Sequence, residues 1–205
     1  MFVVVEGIEG SGKSTLVAGL AARLQLDGYD VVVTREPGGT AVGNAVREIF
    51  LSRSFTIEPL TEALLVNSAR AQHVAEVIRP ALAARRVVVC DRFTDSTLAY
   101  QGYGRECDLE LLRLLCNAAT GAVEPDLVLL VDLPVKLARA RLRGRAETLD
   151  RIESERDAFH ERVRQGYLEL AKSPRHRVLD GRLVPEQLLE AALGEVRERL
   201  AVRIP

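Results

Sequence analysis

The chain has 205 residues, 47% hydrophobic and 28% charged, with a formal net charge of -1. That length and apolar content can bury one sizeable core, so a single domain over 1–205 is expected, and the near-neutral balance offers no basic footprint for a nucleic-acid partner. No stretch has the length of a membrane span and MFVVVEG lacks the basic flank of a signal peptide. Cys90, Cys107 and Cys116 have no metal-ligand spacing, so a cytoplasmic protein with reduced thiols and no membrane partner is expected.

The first element is FVVVE (2–6), a β-branched run that reads as a strand buried on both faces. Directly behind it Gly7, Ile8, Glu9, Gly10, Ser11, Gly12, Lys13 and Ser14 satisfy G-x-x-x-x-G-K-[ST], with Thr15 following. The glycines let successive N–H groups turn inward around a polyphosphate, and the helix that opens at Lys13 adds its positive dipole end. Lys13 brings a mobile cation to the outer phosphates and the Ser14 hydroxyl is placed to join the shell of a Mg²⁺ ion. A nucleoside triphosphate is therefore the first ligand to expect.

That helix spans 13–26, followed by a strand VVVTR (31–35) ending in TREPGGT, a helix over 43–51 and a long helix from about 58 to 84. VVVCD (87–91) reads as the third strand and ends in the polar cluster DRFTDSTLAYQGYGR; a helix over 108–119 and the strand DLVLLVD (126–132) come next. A helix opens at Pro134, the arginine-rich RLRGRAETLDRIE runs over 141–153, and a helix follows over 153–171, then RVLD (177–180) and a helix from Pro185. This alternation predicts a five-stranded parallel sheet with helices on both faces, whose ligands gather at the carboxyl ends of the strands.

At those ends stand Arg35 and Arg92, each directly after or at the end of a strand, and with Arg70 they offer guanidinium forks for a second phosphate. An isolated arginine is as readily an ion-pair partner. Only three of the 28 Lys and Arg residues are lysines, so arginines count here only where a motif places them. The 141–153 stretch alone reads as a solvated charge run; opposite a phosphate loop it becomes a mobile lid, about 141–152, carrying a cation to the transferring group. Asp91 supports either the metal or the loop, and His73, His160 and His176 read as structural or surface residues.

In EGIEGSGKST, TREPGGT, ARAQH (69–73), DRF with DSTLAYQGYGR, PDLVLLVD, and LDRIESE with FHERVRQGYLEL, the chain resembles the thymidylate kinases, of the nucleoside monophosphate kinase group. The resemblance implies the three-layer α/β fold of P-loop NTPases with a short lid, and transfer of the γ-phosphoryl of ATP to thymidine 5′-monophosphate (dTMP) with Mg²⁺. It implies that residues Gly7 to Thr15 bind ATP, that Ser14 and Asp91 serve the metal, and that Arg35, Arg70 and Arg92 contact the acceptor phosphate. Glu9 matches a position near the sugar 3′-hydroxyl and Tyr100 the ring at the 2′ edge. Pro37 packs beside the base, Arg47, Thr97 and Gln101 read it, and Ser96 joins the thymidylate set. The phosphate loop has no arginine, as in the lid-arginine form of the family, so Lys13, Arg92, Arg143 and Arg145 are the catalytic candidates, beside Arg141. A homodimer through the 58–84 helix is also implied. Val66 stands where the family usually has the Phe or Tyr on which thymine stacks. Weaker base binding, more reliance on Arg47 and Gln101, and wider tolerance of pyrimidine monophosphates follow, unless Phe55 or Phe93 covers the base.

Two other readings of the phosphate loop stay in view. A deoxynucleoside kinase would need a carboxylate base for its hydroxyl acceptor, a role for Glu6 or Glu9, although TREPGG argues against it. A P-loop switch or partitioning ATPase would use nucleotide to change partners, yet no NKxD motif, second signature lysine or basic DNA-binding patch is found.

Overall fold

The five apolar runs form one sheet in the structure, a computed structural model that describes residues 1–144 and 148–201. Strands β1 (Phe2–Glu6), β2 (Val31–Arg35), β3 (Val87–Asp91), β4 (Leu127–Asp132) and β5 (His176–Asp180) are all parallel, in the order β2-β3-β1-β4-β5. Val3 pairs with Val89 on one side and with Leu127 on the other. β1 is therefore central, and the segments leaving β1 and β3 emerge side by side at the carboxyl edge, where ligands of such sheets bind.

Successive side chains of a strand point to opposite faces, and the two faces carry separate cores. Val3, Val5, Val89 and Leu129 pack with Leu20 and Leu24 of α1 (Lys13–Leu26) and with Leu193 and Val196 of α9 (Pro185–Ala201). Phe2, Val4, Val88, Cys90 and Val128 pack with Val74, Ile78 and Ala81. Those last residues belong to the long helix of the sequence reading, which runs as α3 (Pro59–His73), a π-helical turn (Val74–Ile78) and α4 (Arg79–Ala83). The remaining helices are α2 (Ala41–Leu51), α5 (Thr94–Thr97), α6 (Leu109–Thr120), α7 (Val135–Arg143) and α8 (Asp157–Leu170).

Two segments depart from the expectation. The polar cluster after β3 is wound: α5 continues as a π-helical stretch over Leu98–Gly104 and packs against α8. The helix expected from 153 begins at Asp157, because Asp150 Oδ1 accepts the N–H groups of Ile152 and Glu153 and holds that stretch in a turn.

Candidate active site

Gly7, Gly10 and Gly12 have φ of 143°, 77° and 102°, and a Cβ on Gly7 or Gly10 would stand 2.5 Å from Val131 O or 2.6 Å from Ala138 O. Only glycine fits this turn. Gly12 caps α1 without a side chain, so the first N–H groups of the helix are left for an anion. Lys13 Nζ donates to Ile8 O at 2.8 Å and the buried Ser11 Oγ has no partner among the described residues. Burial, with Arg92 nearby, pushes the Lys13 ammonium down to about 8 against the pull of Asp91, Glu9 and Glu6.

From the first turn of α1, Ser14 Oγ donates to Asp91 Oδ2 at 2.9 Å, while Asp91 Oδ1 is buried without a partner among the described residues. A hydroxyl and a carboxylate with an unused oxygen at the end of a phosphate loop fit a hard divalent cation that takes its other ligands from phosphates and water. Among the described residues no group of three or more His, Cys, Asp or Glu could hold a metal alone.

Arg92 is the node of the cleft. It takes a left-handed φ of 74°, and its backbone N–H donates to Val5 O at 3.0 Å. Nη2 donates to Glu9 Oε1 at 2.7 Å and Tyr100 Oη at 3.2 Å; Nη1 donates to Gly7 O at 3.0 Å, Tyr167 Oη at 2.9 Å and Ser96 Oγ at 3.2 Å. Tyr100 Oη donates to both Glu9 oxygens, at 2.6 and 2.7 Å. Burial alone would raise the Glu9 carboxyl, but Arg92, Lys13 and the Tyr100 hydroxyl hold it below its ordinary range. Beneath this layer Glu6 accepts from Phe93 N at 2.8 Å, Ser96 Oγ at 2.7 Å and Tyr167 Oη at 2.9 Å, and burial followed by Asp95 pushes it up to about 7. The sequence alone assigns Tyr167 of α8 no role, because it lies 161 residues from Glu6.

On the far side, Arg35 is exposed and no partner engages it among the described residues, whereas Arg47 Nη1 donates to Pro37 O at 3.2 Å. Partial burial, then Arg35 and Arg92, lower the Arg47 pKa. Arg70 also lines the cleft, from a buried position. Read as an acceptor-phosphate contact, it is 1% exposed, and its Nε and both Nη atoms donate to Glu36, Asn67, Cys116, Phe93 O and Thr97. These bonds engage every donor of the guanidinium, so a ligand contact from Arg70 would be made by exchanging one of them. His73 joins the same layer through Thr34 and Glu36, His176 pairs with Asp95, and His160 Nδ1 lies 3.7 Å from Glu9.

Lys13, Ser14, Thr15, Glu9, Gly10, Gly12, Arg35, Pro37, Arg47, Val66, Arg70, Asp91, Arg92, Ser96, Thr97, Tyr100 and Gln101 line one cleft. Gly7, Ile8 and Ser11 form the back of the loop. Phe50, Leu51 and Phe93 line the cleft too, whereas Phe55 is exposed and lies outside it. Phe50 was missed in the sequence because IFL reads as ordinary helix packing. In the lid, Arg141 reaches Ser11 O at 3.4 Å, Gly10 O at 3.5 Å and Gly181 O at 2.9 Å. Arg143 is exposed at the end of α7, and Arg145 lies outside the described residues. Arg151 pins the returning arm, its backbone N–H on Leu51 O at 3.1 Å and its Nε on Phe50 O at 2.8 Å.

Residues 5–191 match a family model described as thymidylate kinase. The chain belongs to the thymidylate kinase family. It is 52% identical to the thymidylate kinase of Desulfovibrio desulfuricans, over 92% of this chain and 91% of that protein. The thymidylate kinase of Carboxydothermus hydrogenoformans is 48% identical, over 91% and 92%. The crystal structure of thymidylate kinase from Ehrlichia chaffeensis superposes with a TM-score of 0.77 at 32% identity, covering 96% of this chain and 98% of that one. The fold is thus the P-loop fold of thymidylate kinases, and the enzyme is a nucleoside monophosphate kinase.

Proposed function

We propose that this cleft carries out the family's reaction by holding ATP on residues 7–15 with Mg²⁺ at Ser14 and Asp91, and thymidylate between Arg92 and Arg47, giving thymidine diphosphate and ADP. The observation that carries the reading is the Arg92 node, a guanidinium that faces the phosphate loop through Gly7 O and the sugar side through Glu9 and Tyr100. The incoming phosphate monoester has a second pKa near ~6, is mostly a dianion at neutral pH and needs no base. What the site must supply is alignment of two polyanions and offsetting positive charge.

Lys13 supplies a cation at the β- and γ-phosphates by exchanging its bond to Ile8 O for phosphate oxygens, and Ser11 and the loop N–H groups close around the chain. The divalent ion, when bound, offsets charge between the outer phosphates. Arg92 and the free Arg35 orient the acceptor; Glu9 and Tyr100 bound its sugar; Thr97, Gln101, Arg47, Pro37 and Val66 enclose its base. Arg143 and Arg145 bring lid charge to the transferring group. A nucleoside acceptor is disfavoured because Arg92 and Tyr100 occupy the Glu9 oxygens and lower its pKa, which makes it a weak base, and Glu6 is 1% exposed and does not line the cleft.

A single-domain enzyme acting as a homodimer in the cytoplasm completes the proposal. Leu60 and Leu64 are exposed on α3, no described helix is long and apolar enough to cross a membrane, and the described cysteines are free. Incubation with γ-labelled ATP, thymidylate and Mg²⁺ should place the label in thymidine diphosphate. Label in inorganic phosphate alone would contradict the proposal.

A further inference from the structure

Glu62 on α3 is 0% exposed, and the phosphoryl-transfer scheme gives it no part. A buried carboxylate is retained only where its oxygens are well partnered. Here Arg105 forks onto it, Nε to Oε2 at 3.2 Å and Nη2 to Oε1 at 3.0 Å, and Arg151 Nη1 donates to Oε1 at 2.5 Å. Its remaining partner is neutral: Gln101 Nε2 donates to Oε2 at 2.9 Å.

A carboxylate facing two guanidinium groups has only acceptor lone pairs to offer, so an amide beside it must present its NH₂ and turn its carbonyl away. Gln101 lines the cleft, and its Oε1 has no hydrogen-bond partner among the described residues. The orientation of an otherwise ambiguous amide is thereby set before any ligand arrives, and what it leaves for the ligand is an acceptor. Thymine and uracil carry an N3–H that such an acceptor can receive. Cytosine carries a bare N3, so two acceptors would face each other, each without a donor.

We propose that Glu62 is a specificity-determining positioning residue: by pinning the Gln101 amide it makes the site select pyrimidine monophosphates with an N3–H over cytidylate. This inference rests on the reading of the cleft as the thymidylate site. It also links base selection to the lid, because the same carboxylate holds Arg151.

The test compares kcat/KM for dTMP, dUMP and dCMP in the wild type, Glu62→Gln, Gln101→Leu and the double variant. A glutamine at 62 can face Gln101 in either sense and lets its amide turn. Glu62→Gln is therefore expected to shrink the dTMP:dCMP preference about tenfold or more, equivalent to ~1.4 kcal/mol. The dTMP:dUMP ratio should hold within about twofold, since both bases bear the N3–H. In the Gln101→Leu background, Glu62→Gln should leave the dTMP:dCMP ratio where it was. An equal loss on all three substrates, or a change in the ratio that persists without Gln101, would overturn the proposal. A wild type inactive on dTMP would instead contradict the site reading itself. Should Glu62→Gln fail to fold, the wild type answers by NMR. The Gln101 side-chain amide pair, identified by its absence from Gln101→Leu, is expected to show slow exchange of at least one N–H in the ligand-free enzyme, and a freely exchanging pair would overturn the pinning.

Discussion

Lys13 is 7% exposed with Arg92 nearby, so its charge works against the ligand-free fold. Burial and Arg92 hold its pKa at about 8, below the ordinary 10.5. Between those values the unfolded chain keeps the proton that the folded one gives up, and stability rises with pH through that window. Lys13→Ala is expected to melt no lower than the wild type at pH 7, to lose the rise in Tm above pH 8, and to turn over about 10²–10³-fold more slowly. Near-normal turnover would remove Lys13 from the site, and a Tm well below the wild type would contradict the cost assigned to its charge. At Val66 the expectation concerns the base: Val66→Phe should lower the KM for thymidylate about tenfold, ~1.4 kcal/mol, by adding the missing π-face. An unchanged or raised KM would mean that Phe50 or Phe93, both of which line the cleft, already covers the base. Residues named by the phosphate loop were legible because that motif states its chemistry locally. The internal bonds of Arg70 to Glu36, Asn67 and Thr97 were not legible, because each joins segments that no local pattern links.

Elements built on apolar periodicity were legible to within a few residues, and the wound segment 94–104 was not. Its glycines depress any helical pattern, yet they are what lets it approach its neighbours. A Cβ on Gly104 would lie 2.7 Å from the Phe159 ring and 2.8 Å from Val163, both buried on α8. Gly104→Ala is expected to destabilise the protein by about 1–3 kcal/mol by overpacking, measured by urea denaturation. Unaltered stability would mean that α8 yields there. That close packing carries Tyr100 and Gln101 into the cleft, so fold and site meet in this stretch. The lid behaves as an element in another sense. If its charge acts on the transition state, neutralising Arg143 and Arg145 together should lower kcat more than tenfold while the KM for thymidylate stays within about threefold. A change confined to KM would make the lid a binding element.

At the scale of the molecule, the sheet order does the assembling. With β1 between β3 and β4, the phosphate loop, Asp91 and Arg92 become neighbours although they lie about eighty residues apart in the chain. The alternation of strands and helices made that sheet legible in advance. The contacts that tune the cleft, Glu6 with Tyr167 and Glu62 with Arg151 and Gln101, were not, because each is a pairing across distant elements that no local pattern encodes. In the proposed reaction one cleft joins a triphosphate loop to a phosphate acceptor site, so the acceptor's own phosphate is the feature to vary. The direct measurement is ADP release with Mg²⁺-ATP and either thymidylate or thymidine as acceptor. Release that depends on thymidylate and stays at the acceptor-free level with thymidine is expected. Equal or faster release with thymidine, or release indifferent to both, would contradict the account.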